Sequence, residues 1–200
     1  MATIWLRSYR SGDPRENGRV VLNPAAELVT ILDDDGQPCG VATRADVRAK
    51  NLLHGATAIL VSRSDGRVYV HRRTLNKDIY PGAHDCWAGG VLAAGEAPED
   101  GARRELAEEL GVHDVPLRPL LVTRWHDAAV RAVYHVYAVT WDGGIVHQED
   151  EVAWGAWWSL ETLAERLADP DFAFVPDGRH LLELSNLLPK FGQSAPSGAT

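Results

Sequence analysis

The stretch GVLAAGEAPEDGARRELAEELGV (Gly90–Val112) brings Glu96, Arg104, Glu105, Glu108 and Glu109 close together in the chain. Pro98 suits the first turn of a helix and Gly111 a left-handed stop, which predicts a helix of about three to four turns between them. At about 100° per residue, Glu105, Glu108 and Glu109 fall on one narrow arc with Gly101 at its middle, beside an apolar stripe of Ala102, Leu106 and Leu110. Such a helix can pack into a core while holding three carboxylates together. Crowded carboxylates repel one another, and a hard divalent cation taking oxygen ligands relieves the repulsion. The chemistry expected is that of a Mg²⁺ or Mn²⁺ site. A solvated surface helix is the alternative, since Arg104 and Glu108 at i,i+4 would pair on any exposed helix.

Composition narrows what the site could serve. The chain has 200 residues, 45% of them apolar, which suits one domain with a sizeable core. A net charge of -8 and a pI near 5.4 argue against a nucleic-acid polymer as partner. Any anionic substrate must then be met by a metal and a local basic group, because the overall field repels it. No secretory signal pattern opens the sequence and no apolar run is long enough to span a membrane, so a cytoplasmic protein with no membrane partner is expected. Cys39 and Cys86 are too few for a disulfide framework and are read as buried or partly buried thiols.

The elements that must position the carboxylates follow from local pattern. LVTIL, the turn DDDG and a second run through Val41 read as a hairpin. Thr43–Lys50 is helical and ends near Asn51. Ala56–Ser62 and Val68–Arg73 flank the turn SDGR as strands, and Pro119–Trp125 and Ala132–Trp141 read as two more. Ser159 caps a helix, with Thr162 three residues on, and another helix is expected over Asp177–Leu188. Residues 1–25 look like an irregular extension, 26–190 like one domain and 191–200 like a mobile polar tail. Strands mixed with a few helices in no regular alternation indicate an α+β class or sandwich.

The same stretch also fills every fixed position of the Nudix box: Gly90, Glu96, Arg104, Glu105, Leu106, Glu108, Glu109, Gly111 and Val112 stand at its spacing. The chain therefore resembles the Nudix hydrolases, which implies an α/β/α sandwich around a mixed sheet. LLHGATAILV (Leu52–Val61), HRRTLNKDIYPG (His71–Gly82) and EDEV (Glu149–Val152) look most like the branch that contains isopentenyl-diphosphate isomerases and hydrolases similar to them.

The resemblance assigns roles. Arg73 and Lys77 fall where isomerases hold the substrate diphosphate, although two surface cations at a strand end would look the same. His54 falls at a metal-binding histidine. Glu149 and Glu151 match carboxylates that serve metal binding and proton transfer, and in an extended segment they would share a face; an acidic turn is the alternative. Glu105, Glu108 and Glu109, with the Gly89 carbonyl, would hold Mg²⁺ or Mn²⁺. Glu105 or Glu151 would take the proton from the attacking water, and Arg104 with Glu96 would orient the metal carboxylates.

Departures from the isomerase pattern decide the chemistry. The isomerase cysteine falls at Gly89, and two of its histidine ligands fall at Val91 and Val47, while the hydrolytic box is intact. Cleavage of a diphosphate linkage in a small molecule is expected, with isomerisation and a non-catalytic binding module as the rivals. The resemblance allows a homodimer. Trp154, Trp157 and Trp158 are expected to serve mainly the core, and Trp87 and Trp125 could border the pocket.

Overall fold

The computed structural model describes residues 24–187. Most of the expected extension and the whole of the expected tail lie outside the described residues. The chain opens with the antiparallel hairpin β1 (Leu28–Leu32) and β2 (Pro38–Thr43). Thr43 then caps α1 (Arg44–Lys50), its hydroxyl accepting the Asp46 N–H at 3.2 Å, and Asn51 closes the helix in a left-handed conformation. β3 (His54–Ser62) and β4 (Val68–Arg73) follow, then two very short strands, β5 (His84–Asp85) and β6 (Trp87–Ala88). The carboxylate helix is α2 (Pro98–Leu110), with Gly111 at φ 65° as its stop. β7 (Arg118–His126), β8 (Arg131–Thr140) and β9 (Val152–Trp158) lead to α3 (Leu160–Ala168) and α4 (Pro176–Leu184).

β3 is central and buried along almost its whole length. It runs parallel to β8 from His54↔Ala132 to Ser62↔Thr140, while β7–β8, β4–β9 and β3–β6 pair antiparallel. The sheet is therefore mixed. Successive residues of β3 point to opposite faces. Ala58 and Leu60, with Val68 and Val70, meet Leu163 and Leu167 of α3 and Leu181 and Leu182 of α4. Ile59 and Val61, with Tyr69, meet Ala102, Leu106 and Leu110 of α2. Helices cover both faces, giving the α+β sandwich expected.

Three local expectations change. α4 starts at Pro176 and ends at Leu184, not over Asp177–Leu188: Pro176 fits the first turn, and Asn186 at φ 50° turns the chain before Pro189. Cys39 is exposed, because β2 is an outer strand with an open face, whereas Cys86 is buried as expected. Trp154 is 44% exposed, while its neighbours Trp157 and Trp158 pack against opposite faces of the sheet.

A buried carboxylate locks α4 to the sheet edge. Asp85 Oδ1 accepts the N–H groups of Cys86 and Trp87 at 2.8 and 3.1 Å, and the Trp87 indole donates to the Gly178 carbonyl at 2.9 Å. A Cβ on Gly178 would stand 2.7 Å from that same Asp85 oxygen, so the helix can approach only with glycine there. Burial, then the neighbouring Asp177, pushes the Asp85 carboxyl up to about 8.

Two outcomes are expected. Leu106 is 1% exposed at the centre of the α2 face; Leu106→Ala should lower the unfolding free energy by about 2–5 kcal/mol in urea titrations. Because Asp85 is raised in the folded state, its contribution to stability is complete below its ordinary value of 3.8 and is lost as pH rises through about 8. Asp85→Asn keeps the acceptor oxygen and should flatten that part of the decline, measured as unfolding midpoint against pH.

Candidate active site

Arg104 is the hub of the α2 surface. Its guanidinium forks onto Glu96, Nε to Oε1 at 2.8 Å and Nη2 to Oε2 at 2.9 Å. Glu96 also accepts the Ala93 N–H at 2.9 Å, so the clamp ties the loop ahead of α2 to the helix. The Arg104 interaction is the main cause holding Glu96 below its ordinary value. Gly101 lies beneath, where a Cβ would collide with Leu92 and crowd the Glu96 carboxylate. Arg104 Nη1 reaches Glu105 at 2.7 Å and Glu108 at 3.3 Å.

Glu105 and Glu109 are buried, at 9% and 5% exposure, and face the loop Gly89–Gly90. Glu109 Oε2 accepts the Gly89 N–H at 3.0 Å. Gly89 has φ 146°, and a Cβ there would overlap the Thr57 carbonyl; a Cβ on Gly90 would stand 2.6 Å from Glu105 Oε1. Only glycines allow the carboxylates this close. Burial, then Glu109, pushes Glu105 up to about 7, and burial raises Glu109 as well.

The opposite side of the groove is brought in by backbone bonds. Val146 and Gln148 donate to the terminal α2 carbonyls of Leu110 and Glu109 at 3.0 and 3.1 Å, satisfying acceptors that the helix end leaves free. Thr74 donates its N–H to the Glu151 carbonyl at 3.1 Å and its hydroxyl to Asp150 at 2.8 Å. Lys77 thereby meets the Glu151 carboxylate in an ion pair. Burial, then Arg73, lowers Lys77 to about 8. The groove so formed holds about 430 Å³ and is lined by Lys77, Gly89, Glu105, Glu108, Glu109 and Glu151, together with Glu27 and Arg44.

A second, inner cavity of about 80 Å³ shares Gly89, Gly90, Arg44 and Lys77 with the groove. Arg73 lines this cavity, its Nε and Nη2 donating to the Ile79 carbonyl at 3.2 and 3.0 Å. His54 lines it too; its Nδ1 bonds the Leu52 carbonyl at 2.8 Å and so carries the proton. Burial lowers His54 to about 4, leaving it neutral at ordinary pH. Trp87 is in the wall, and Trp125 packs behind it against Ala56 and Ile79, which line the cavity.

The expected pairing of Glu149 with Glu151 needs correction. Residues 149–151 form a turn, with the Glu151 and Val152 N–H groups both donating to Gln148 at 2.9 Å, so strand alternation does not apply. Glu149 is exposed and outside the groove; Glu151 is inside it. His54 is likewise placed with the inner cavity and not with the glutamates. Val47 and Val91 pack together with Val29, so the two positions where isomerases carry histidines form one apolar cluster.

Among the described residues no three His, Cys, Asp or Glu side chains converge closely enough to hold a cation as they stand. Arg104 draws Glu105 and Glu108 to itself, and Gly89 holds Glu109. The donor set nonetheless fits a hard divalent ion: all oxygen, with two buried carboxylates whose mutual repulsion a cation would relieve. Sequence reasoning missed Glu27, Arg44, Arg48, Asp85 and Asp177. The i,i+4 spacing of Arg44 and Arg48 on α1 was the available signal for two of them; the others come together only through the fold.

The NUDIX domain profile matches residues 52–178. The uncharacterized Nudix hydrolase orf19 of Rhodococcus erythropolis is 41% identical over 171 residues, covering 80% of this chain and 92% of its own. The uncharacterized Nudix hydrolase YfcD of Escherichia coli K12 is 34% identical over 160 residues, with coverage of 80% and 87%. Among solved structures, DR0079 from Deinococcus radiodurans superposes with a TM-score of 0.69 at 25% identity, over 82% of this chain and all of that one. The NUDIX domain of Shewanella oneidensis NrtR, solved with ADP ribose, shares the fold at a TM-score of 0.52 and 19% identity, over 72% of this chain and 97% of that one. With a profile match across most of the described residues and relatives this similar over nearly their full lengths, the chain belongs to the Nudix hydrolase family.

Proposed function

We propose that this protein is a metal-dependent hydrolase that cleaves a phosphoanhydride bond in a nucleotide-type or other X–diphosphate substrate. The observation that carries the reading is the opposition, in one groove, of three α2 carboxylates to Lys77 across two glycines. Glu105, Glu108, Glu109 and the Gly89 carbonyl would hold Mg²⁺ or Mn²⁺, which when bound neutralises phosphate charge and lowers the pKa of water. Lys77 and Arg73 hold phosphate oxygens, a role suited to a buried ammonium and a forked guanidinium. Arg104, fixed by Glu96, orients the α2 carboxylates. The proton of the attacking water goes to Glu105 or Glu151, the two carboxylates that reach the groove from α2 and from the turn before β9.

Within the family, likeness to the isomerases extends to Arg73 and Lys77 and stops at the chemistry. A cysteine at position 89 would need a Cβ where the Thr57 carbonyl lies, and the imidazole positions are an apolar cluster. Double-bond migration without phosphate release would restore the isomerase reading. An ADP-ribose-bound NUDIX domain of the same fold makes nucleoside-diphosphate compounds the first class to assay.

A panel of nucleotide sugars, dinucleoside polyphosphates, coenzyme A, NADH and nucleoside triphosphates should reveal phosphate or monophosphate release that chelator abolishes. Glu109→Gln should remove turnover while the circular dichroism spectrum is unchanged; full activity in that variant would sink the carboxylate assignment. Lys77→Gln should raise KM by roughly 10–100-fold, the loss of one charge-assisted hydrogen bond. Comparing Glu105→Gln with Glu151→Gln in pH–rate profiles separates the two proton acceptors.

A further inference from the structure

Lys77 sits in a loop without regular structure, and its own backbone does little to fix it: its N–H reaches the Thr74 carbonyl only at the long distance of 3.5 Å. The loop is closed at its ends, where Arg73 donates its N–H to the Ala83 carbonyl at 2.9 Å and Gly82 donates to Thr74 at 3.2 Å. Leu75 and Asn76, just before the lysine, are exposed. Three anchors stand on the other side, on consecutive residues. Asp78 pairs with Arg48 of α1 at 3.5 Å, the Ile79 carbonyl takes the Arg73 guanidinium, and the Tyr80 hydroxyl donates to the Asp127 carboxylate. The position of the ammonium is therefore set from residues 78–80.

Of the three, Tyr80 is the one held at a cost. Its φ is 48°, a left-handed conformation that a bulky side chain keeps only where its surroundings over-determine it. They do so from two directions. The ring packs against the cluster of Ala56, Ile79, Val130 and Ala132, and the hydroxyl meets a carboxylate 47 residues further along the chain. Asp127 is itself fixed: its Oδ1 accepts the Ala129 and Val130 N–H groups, both at 2.7 Å, and its carbonyl accepts the Asn51 side chain at 2.8 Å, at the end of α1. Packing alone would be served by phenylalanine and leaves the hydroxyl unexplained. A hydrogen bond to an ionised acceptor is stronger than a neutral one. This one fastens the Lys77 loop to a residue that lines neither the groove nor the inner cavity.

We propose that Tyr80, held by Asp127, is a positioning residue: it fixes the backbone that keeps Lys77 aimed across the groove, and its hydroxyl serves the phosphate site only through that lysine. This rests on the diphosphate reading of the groove. The rival use of the same hydroxyl is direct contact with substrate, since Tyr80 lines the inner cavity. The two differ in whether the effect of removing the hydroxyl survives the loss of Lys77.

Tyr80→Phe keeps the ring and removes only the hydroxyl. In titration calorimetry of the full chain with magnesium pyrophosphate it should bind at least about fivefold more weakly than the unaltered protein, but under about twofold more weakly when both carry Lys77→Gln. Equal losses in the two backgrounds, or no loss in the first, overturn the proposal. The lysine is also read without phosphate, because its side chain is 11% exposed against 63% for Lys50. In protein made with isotope-labelled lysine, the Lys77 side-chain NMR signal, identified by its absence from Lys77→Gln, should shift toward that of Lys50 in Tyr80→Phe. A superimposable signal overturns the proposal. If the unaltered protein binds no pyrophosphate, the diphosphate reading of the groove falls and the NMR signal alone decides the role of Tyr80. Should Tyr80→Phe fail to fold, Asp127→Asn takes its place: it keeps an oxygen for the turn N–H groups and removes the charge to which Tyr80 donates. The Lys77 signal should then move in the same direction, and an unchanged position defeats the proposal.

Discussion

The architecture depends on the close approach of two buried carboxylates, Glu105 and Glu109, to the backbone of Gly89 and Gly90. Neither glycine has room for a Cβ, since one would enter the Thr57 carbonyl and the other the Glu105 carboxylate. The approach crowds negative charge in a place where burial already disfavours it. Everything around the site answers that cost. Arg104 neutralises one side and is itself held by Glu96, the Gly89 N–H takes an oxygen of Glu109, and Lys77 faces the carboxylates from the next wall.

The same two glycines separate, and join, the spaces on either side of them. On the α2 side lies an acidic groove suited to cations; on the α4 side lies a smaller cavity where Arg48 and Arg73 are gathered. On a chain of net charge -8, these spaces gather positive charge locally from Arg44, Arg48, Arg73 and Lys77.

Much of the fold could be read from local signals because local physics sets them. Ser159 was a recognisable cap and Gly111 a recognisable stop, Thr43, read as the first helical residue, proves to be the N-cap of α1, and the stripe of Ala102, Leu106 and Leu110 lies in the core at 0 to 1% exposure. The misreadings occurred where local pattern is silent. Cys39 was placed inside because the burial of a thiol depends on which strand is an outer one. Glu149 was placed beside Glu151 because a three-residue turn and a strand start look alike until Gln148 is seen bonding across it.

The sequence by itself determined the three carboxylates on one helical arc and the apolar stripe beside them, because helix period fixes their positions within one short segment; that Gly89 and Gly90 leave room for two of those carboxylates was decided by the fold. Tertiary structure alone decided which other charges face them. Glu27 ahead of β1, Arg44 from α1, Lys77 from the loop after β4, Glu151 from the turn before β9 and Asp177 from α4 are far apart along the chain. They converge on the Gly89–Gly90 loop only when β3 and its neighbours pair, and backbone pairing carries no mark in any one of those segments read alone.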